Sequence, residues 1–301
     1  MRKFTLFFAA LCCTVMANAW NLQVDGICYN VNWSDYTATV TYETKDANNY
    51  QNLSGNVTIP ATVRGDLTDF TVIAIGDSAF MKAKNITQVD LSATSITKIG
   101  KYAFDTCTKL SNVNFPPSVT SLGNNAFYYC LKLATLNLPD DLQTVGAQCF
   151  MYCHSLIALR IPDKVTKIKT NTFADCVALQ YLELPVELQE VGYNFIYKCN
   201  ALQIITIHAT VPPTIGDYGY SSINNPKSIT LRVPYGSKSL YQEALGWKDF
   251  NIEEMKNPHE GIDEVQREPS GQYKSTKVIK DGQLLIERNG KTYNALGAEL
   301  K

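Results

Sequence analysis

Cysteine and histidine are the residues of this sequence best suited to chemistry, and the chain has nine cysteines and three histidines. Thiolates and imidazoles act as nucleophiles, general bases and metal ligands. Five of the cysteines lie 23 residues apart: Cys107, Cys130, Cys153, Cys176 and Cys199. A constant spacing of this length is typical neither of a disulfide framework nor of a zinc motif. These five cysteines therefore mark a sequence repeat.

The three histidines do not indicate a catalytic or metal site. His154 adjoins Cys153, as a base beside a thiol nucleophile would, but Cys153 occupies a repeated position. His208 stands where other repeats have proline, and the segment that begins at His259 lacks the second histidine of a zinc protease motif. There is also no G-x-S-x-G motif, phosphate-binding glycine loop or calcium loop. We therefore expect no catalytic residues, no metal and no cofactor, and we expect that the protein is not an enzyme.

The same apolar pattern surrounds each repeated cysteine. Phenylalanine stands three positions before it in four copies and isoleucine in the fifth, and leucine stands three positions after it in all five. Two alternating apolar residues follow, such as Leu136 and Leu138, and this alternation predicts a short strand with one buried face. A proline ends the strand in four copies. A glycine then marks a turn in every copy but the one with Lys169.

A single repeat is too small to fold alone. It offers about seven apolar side chains, and their burial does not offset the conformational entropy of 23 ordered residues. Stacking the repeats covers both flanks of each apolar layer and lets every strand pair with the strands above and below it. We therefore predict a solenoid with 23-residue coils and a parallel strand ladder.

The repeat resembles a known family. The L-x-x-L-x-L segment from Leu133 to Leu138 resembles the leucine-rich repeat, and the order P-x-x-V-T-x-I-G-x-x-A-F-x-x-C-x-x-L resembles the BspA-like (Treponema pallidum type) subclass. This subclass occurs in surface and secreted proteins of Bacteroidetes. The resemblance covers about residues 73–210 and implies a β-rich leucine-rich-repeat solenoid. It also implies a role in adhesion to extracellular matrix proteins and to other bacteria.

The N-terminal segment has the composition of a signal peptide. Two basic residues precede an apolar run over residues 4–16, and Ala17-Asn18-Ala19 forms the small-x-small pattern of a cleavage site. The run is too short to anchor a protein in a bilayer, so we expect no transmembrane anchor in the mature chain. A buried first strand is the alternative interpretation. We therefore expect an exported protein that is extracellular, on the cell surface or in the periplasm.

The remaining chain divides by composition into regions that flank the repeats. Residues 211–256 resemble the terminal strand and short helix of the family, with the helix at about residues 237–245, and the final segment resembles the sorting tails of exported Bacteroidetes proteins. The predicted organisation is a signal peptide (1–19), an N-terminal β cap (20–70), the solenoid (71–210), a C-terminal strand and short-helix cap (211–256), a linker (257–275) and a sorting-like tail (276–301).

The cysteine column is best explained by packing. Cysteine is a small, frequently buried side chain, and parallel side chains on neighbouring coils are too far apart at Cβ for a relaxed disulfide. Disulfides between coils and a metal site are the alternatives, and a bridge between Cys149 and Cys28 is a further option. We expect buried free thiols.

Function is therefore expected on the exposed surface. The net charge near −1 argues against nucleic acid. We predict that an extracellular protein or glycan binds to outward-facing strand residues or to an aromatic patch, and a structural role in the envelope is a third hypothesis. The candidate binding residues are Asn112, Asn114, Asn137, Arg160, Tyr181 and Glu183 on the strands, and Tyr128, Tyr129 and Tyr152 in the patch.

Overall fold

A computed structural model describes residues 4–5, 21–43, 50, 52–216 and 225–256, together with the backbone of strands between residues 276 and 300. The chain forms two units, Met1–Met255 and Lys256–Lys301. The linker predicted at residues 257–275 lies outside the described residues. The first unit contains the repeats and both caps.

The N-terminal part begins with an antiparallel sheet. Its strands place Leu22, Tyr29 and Val40 in the core. The strands, in order along the chain, are β1 (Phe4–Thr5), β2 (Leu22–Val24), β3 (Ile27–Asn32), β4 (Thr37–Thr41), β5 (Gly55–Thr58), β6 (Thr62–Arg64) and β7 (Asp69–Ile75). Strands β1 to β4 pair antiparallel in sequence order, and β4 then pairs in parallel with β7. Strands β2 to β4 therefore close the first coil as the predicted N-terminal β cap, whereas β1 lies in the segment predicted to be a signal peptide.

The repeats form two sets of parallel strands. The strands are β8 (Ile86–Asp90), β9 (Lys98–Ile99), β10 (Asn112–Asn114), β11 (Ser121–Leu122), β12 (Thr144–Val145), β13 (Ala158–Arg160), β14 (Lys167–Ile168), β15 (Tyr181–Leu184), β16 (Glu190–Val191), β17 (Ile204–Ile207), β18 (Thr214–Ile215), β19 (Thr230–Val233) and β20 (Asn251–Glu254). On one side of the coils, β5, β8 and β10 form one sheet, and β13, β15, β17, β19 and β20 form another. On a second side, β7, β9, β11 and β12 pair in sequence, as do β14, β16 and β18. The predicted solenoid with parallel strands is confirmed.

The strand predicted over residues 135–138 does not form, and this prediction is wrong. The segment lies between β10 and β13 in the coil order but pairs as a strand with neither. Leu136 is nevertheless buried at 6% exposure. The apolar alternation therefore predicted correctly which side chains point into the core. Strand pairing also requires that the backbones of neighbouring coils lie about 4.8 Å apart.

The core consists of repeated columns of identical side chains. Five phenylalanine rings stack with interplanar angles of 2–12° and centroid separations of 5.2–5.8 Å. These rings belong to Phe80, Phe104, Phe127, Phe150 and Phe173. Beside them, each repeated cysteine donates its S–H to the carbonyl of the phenylalanine in the preceding coil, with Sγ···O distances of 3.0–3.3 Å. The seven described cysteines are all free and buried, so the prediction of buried free thiols is confirmed.

In addition to the two sets of parallel strands, a ladder of backbone hydrogen bonds joins the turns that precede the cysteines. Phe104 N–H donates to Ala126 O at 2.8 Å, Phe127 N–H to Cys149 O at 2.9 Å and Phe150 N–H to Thr172 O at 2.9 Å. We call this set of bonds the turn ladder. Because the turns must reverse direction tightly, one residue just before each cysteine position adopts a left-handed backbone. The residues in this conformation are Lys82 (φ 63°), Thr106 (60°), Tyr129 (58°), Tyr152 (63°), Asp175 (58°) and Lys198 (56°).

A glycine column shows how closely the coils approach. A Cβ added to Gly123 would lie 2.5 Å from the backbone nitrogen of Lys101, and one added to Gly192 would lie 2.5 Å from the nitrogen of Thr170. A Cβ on Gly146 would clash with the backbone of Gly123 in the same way. Real Cβ atoms do not approach other atoms so closely, so these positions require glycine while the coils are paired.

The C-terminal cap covers the last coil. It contains a 3-10 turn (Pro226–Ser228) and α1 (Lys238–Glu243), which is shorter than the predicted helix. Trp247 is fully buried, contacts the rings of Phe195 and Tyr241, and donates its indole N–H to Pro213 O at 2.7 Å. The predicted strand and short-helix cap is confirmed.

The second unit is a four-stranded antiparallel sheet. Its strands are β21 (Thr276–Lys280), β22 (Gln283–Arg288), β23 (Lys291–Asn294) and β24 (Glu299–Leu300), paired in sequence order. The connections after β21 and β22 contain Asp281-Gly282 and Asn289-Gly290, dipeptides that favour tight hairpin turns.

Candidate functional site

The structure separates the predicted strand residues into two groups. Asn112 and Asn114 both lie on β10, where the Asn112 amide donates to Asn114 Oδ1 at 2.9 Å. The other four line one open groove with a volume of 540 Å³. These four residues are Asn137, Arg160, Tyr181 and Glu183. This volume lies within the range typical of ligand sites.

The groove extends along the outward face of the coils from residues 135–138 to β19. Its wall includes Thr135, Ala158, Ile204 and Thr206, so apolar and uncharged polar groups alternate along it. Arg232 of β19 also lines the groove, and sequence reasoning did not select it. The alternation in Thr230–Val233 could have revealed it, because that segment continues the strand pattern into the cap.

An ionic network lies at one edge of the groove. The Arg160 guanidinium lies 2.8 Å from Asp163 Oδ2, 3.2 Å from Asp140 Oδ1 and 3.7 Å from Glu183 Oε1. Nε2 of His208 lies 2.9 Å from the same Glu183 oxygen. These charges pair with one another, whereas Arg232 has no ion pair among the described residues. The groove therefore offers hydrogen bonds, apolar contacts and one cationic side chain.

The backbone of residues 135–138 is available at the groove. Within the described part of the chain, no hydrogen bond reaches the N–H or C=O groups of these four residues. Thr135 and Asn137 are exposed, whereas Leu136 is buried. Backbone groups without internal partners must bind water or another molecule.

The three predicted tyrosines form a second site on the turns. The ring centroids of Tyr128 and Tyr152 lie 5.5 Å apart, those of Tyr129 and Tyr152 also 5.5 Å, and those of Tyr128 and Tyr129 6.2 Å. His154 joins this cluster, 6.0 Å from Tyr152 and 6.3 Å from Tyr129. Only Tyr129 is strongly exposed, at 38%. The left-handed backbone of Tyr129 and Tyr152 recurs in the other coils, so it is a requirement of the fold and not a mark of function.

Acidic side chains lie near the tyrosine cluster. Burial raises the pKa of the Tyr128 hydroxyl, and the nearby Tyr152 and the carboxylates of Asp105 and Asp175 raise it further. The hydroxyl therefore stays protonated and can donate a hydrogen bond. Aromatic faces with hydroxyl donors are suited to interfaces that are partly apolar and partly wet.

The repeated thiols are poorly suited to nucleophilic chemistry. Burial raises the pKa of Cys153 and of Cys199 to about 12, and that of Cys28 to about 11. The thiolate is the reactive form, so these groups are unreactive near neutral pH. Among the described residues, no three His, Cys, Asp or Glu side chains converge as metal ligands. The same residues contain no helix with the length and apolar composition of a membrane span.

Comparisons with known proteins agree with the architecture. A sequence profile described as a BspA type leucine rich repeat region, in six copies, matches residues 73–176 and 143–264. The T. pallidum leucine-rich repeat protein has a similar crystal structure, with a TM-score of 0.54 and 25% identity over 63% of this chain and 83% of that chain. A leucine-rich repeat protein from Bacteroides ovatus has a similar fold, with a TM-score of 0.51 and 21% identity over 78% of this chain and 67% of that chain. None of the curated proteins searched is significantly similar. The repeat fold suggests a protein-binding module.

Proposed function

Because the chain belongs to the BspA-type leucine-rich repeat family, we propose that it is an exported, non-enzymatic module that binds an extracellular host or microbial protein. The groove on the strand face is the binding site in this proposal. Adhesion to that partner is its biological consequence.

The observation that carries the proposal is the continuity of the groove. Its wall combines residues 135–138 with side chains from β13, β15, β17 and β19. A surface built from many successive coils is long enough to contact an extended region of a protein, and solenoids commonly bind in this way. Tyr181, which is 44% exposed, supplies the kind of aromatic contact that often dominates binding energy.

Export and surface location are also part of the proposal. The basic start, apolar run and Ala17-Asn18-Ala19 motif support cleavage by signal peptidase. The resemblance of residues 276–301 to sorting tails supports a surface role. N-terminal sequencing of the protein isolated from its native cells would test the first point: the expected mature chain begins at Trp20. A chain that retains residues 1–19 would contradict export by this route.

Binding can be tested with purified mature protein and a panel of extracellular matrix proteins. We expect Tyr181→Ala together with Asn137→Ala to weaken the affinity for a bound matrix protein by about tenfold or more. Tyr235→Ala is the matched control, because Tyr235 is 56% exposed but lies outside the groove. Surface plasmon resonance gives the affinities. Absence of binding to any matrix protein, or equal binding by both variants, would contradict the proposed function.

The tyrosine cluster supports a second candidate, carbohydrate binding. Tyr129 presents its ring to solvent beside Tyr128 and Tyr152, and tyrosine rings can stack on the apolar faces of sugars. A glycan array probed with wild type and with Tyr129→Ala tests this function. Signals that disappear in Tyr129→Ala but persist in Tyr181→Ala would assign glycan binding to the cluster, and an array without signals would eliminate it.

A further inference from the structure

The outward side chains of the groove form two rows, because the strands that carry them pair in register. In the first row, Tyr181 of β15 is paired with Ile204 of β17, and in the second row Glu183 is paired with Thr206. The second row continues into the cap, since Thr206 is paired with Arg232 of β19. Successive members of a row lie about 4.8 Å apart at the backbone. Strand register therefore places Arg232 one strand away from the apolar side chain of Ile204.

The two ends of the groove differ in charge. At the end formed by β13, three carboxylates surround Arg160, which lies 2.8–3.7 Å from Asp163, Asp140 and Glu183. At the other end, Arg232 is exposed and forms no ion pair in the part of the chain that the structure describes. A single positive charge without a partner therefore lines the end of the groove formed by β19.

The carboxylates nearest to Arg232 in the strand register do not neutralise it. Glu253 of β20 is paired in register with Arg232, but no ion pair joins the two among the described residues. Glu183 lies two strands away on the other side and is held by Arg160 and by His208. The guanidinium of Arg232 is therefore available to a ligand.

One guanidinium matches one carboxylate. Arginine binds a carboxylate through two parallel N–H···O bonds. A chain of phosphates or sulfates would need several cations, and the groove lining contains no lysine and no arginine besides Arg232 and the paired Arg160. Thr206 lies one strand from Arg232, and its hydroxyl can donate a further hydrogen bond to the same carboxylate.

We propose that this end of the groove binds an acidic side chain, Asp or Glu, on the surface of the protein partner. Arg232 is the specificity-determining residue, and Ile204 contacts an apolar side chain next to the acidic one. We call Ile204, Thr206 and Arg232 the carboxylate site. The proposal rests on the protein-binding function given above and deepens it, because it specifies the chemistry that the partner must present.

The apolar lining favours a protein carboxylate over an acidic sugar. Ile204 and Ala158 both line the groove, and an apolar protein side chain gains free energy from contact with such groups. The hydroxyls of a sugar would lose hydrogen bonds to water against the same groups. A partner surface with an acidic residue beside an apolar one therefore fits the carboxylate site best.

Three variants of the full mature protein test the role of Arg232. Surface plasmon resonance is performed with the matrix protein that wild type binds most tightly. Arg232→Gln removes the charge and should weaken binding about tenfold or more, whereas Arg232→Lys keeps the charge and should lose less. Lys227→Gln is the matched control, because it removes the same charge from an exposed residue outside the groove and should bind like wild type. The difference between wild type and Arg232→Gln should shrink at about 1 M salt.

The carboxylates of the partner are tested by converting them to amides. Wild type should lose about tenfold or more in affinity for the amidated matrix protein, and Arg232→Gln should lose much less, because the interaction is already absent. Equal losses in the two proteins, or equal binding of the unmodified partner by wild type and Arg232→Gln, would overturn the carboxylate site. The proposed function would then stand without it.

A peptide titration tests the site without a protein partner. The probes are acetyl-Leu-Asp-amide and the matched acetyl-Leu-Asn-amide, and the readout is the nuclear magnetic resonance signal of the Arg232 Nε–H, assigned by its loss in Arg232→Gln. Only the aspartate peptide should shift this signal. No shift, or equal shifts with both peptides, would overturn the carboxylate site. A selective shift without binding of any matrix protein would support the site and contradict the proposed function alone. On a glycan array, binding of acidic glycans that is lost in Arg232→Gln would overturn the assignment to a protein side chain.

Discussion

Two neighbouring junctions of the solenoid differ although their coils follow the same repeat pattern. Between residues 112–123 and residues 135–146, β11 and β12 pair in register and Gly146 lies directly against Gly123. At the next junction, Lys169 replaces glycine and β12 does not pair with β14. A Cβ at Gly100, Gly123 or Gly146 would lie 2.3–2.5 Å from the backbone of the preceding coil, whereas the nearest atom at Gly216 is 3.6 Å away. Close packing therefore excludes a side chain at the first three positions but not at every junction where coils pair.

The core side of the two junctions is the same. Phenylalanine stacking, the cysteine bonds and the turn ladder continue through both of them. These contacts therefore tie the coils together at both junctions, whether or not the short strands pair.

The largest effect should come from ionising the thiols that both junctions share. The pKa of Cys153 and of Cys199 rises from an ordinary 9.0 to about 12 because the groups are buried. A pKa raised in the folded state gives stability that is complete below pH 9 and is lost as the pH rises toward 12, because only the unfolded chain then releases the protons. The expected loss at pH 10 is about 1.4 kcal/mol per thiol, or about 7 kcal/mol for the five repeated thiols.

Urea unfolding between pH 8 and pH 10.5 measures this dependence. In the double variant Cys153→Ala and Cys199→Ala, the unfolding free energy should fall less steeply with pH. The slope should decrease by the contribution of the two thiols that were removed. A slope equal to that of wild type would show that the thiols are not shielded from water.

Removing one ring from the shared phenylalanine stack should have the next largest effect. Phe150 lies between Phe127 and Phe173, with centroids 5.7 and 5.8 Å away. Phe150→Ala leaves a cavity in a fully buried column, and the expected loss is about 3–5 kcal/mol of unfolding free energy. Tyr235→Ala, at an exposed site, should change it by less than about 0.5 kcal/mol. A loss below about 1 kcal/mol in Phe150→Ala would indicate that the column is not tightly packed.

The contrast between the junctions is tested directly by alanine at both positions. In Gly123→Ala, the new Cβ meets backbone at 2.5 Å, and forcing a side chain into a packed site costs about 1–3 kcal/mol. Lys169→Ala should change the unfolding free energy by less than about 0.5 kcal/mol, because its junction already accommodates a Cβ. Thermal and urea unfolding give both values. Similar costs at the two positions would show that the coils are no more closely packed at Gly123 than at Lys169.

The smallest effect should come from the exposed ion pairs between residues 140–141 and the next coil. Lys164 and Asp141 are both more than half exposed, and exposed pairs contribute about 0.2–1 kcal/mol. Asp141→Asn should lower the unfolding free energy by that amount in dilute buffer, and the difference should vanish at about 1 M salt, where charges are screened within about 3 Å. A difference that persists in salt would assign the effect to packing instead.

The sequence predicted the fold well because the fold is periodic. The repeated Phe, Cys and Leu positions specify which side chains are buried, and the BspA-like resemblance and the solenoid are confirmed. Lys169 stood out in the sequence as a break in the glycine column, but its consequence depends on how closely Gly123 and Gly146 approach in space. The strand expected at residues 135–138 failed for a related reason, since alternation specifies a side-chain direction and not a distance between backbones.

The candidate sites were predicted only in part. Alternation identified outward-facing residues such as Asn137 and Tyr181, but it could not separate them from Asn112 and Asn114, which lie outside the groove. It also missed the contributions of Arg232 and His154, which the tertiary structure brings to the groove and to the tyrosine cluster.

The amino-acid sequence by itself determined the coil length, the buried columns and the absence of recognisable catalytic motifs, because each follows from residue types at fixed spacing. Only the tertiary structure decided which coils pair, where the groove opens and which charges neutralise one another. These properties depend on distances between residues about 23 positions apart, and such distances are set by steric contact between coils, which no local pattern records.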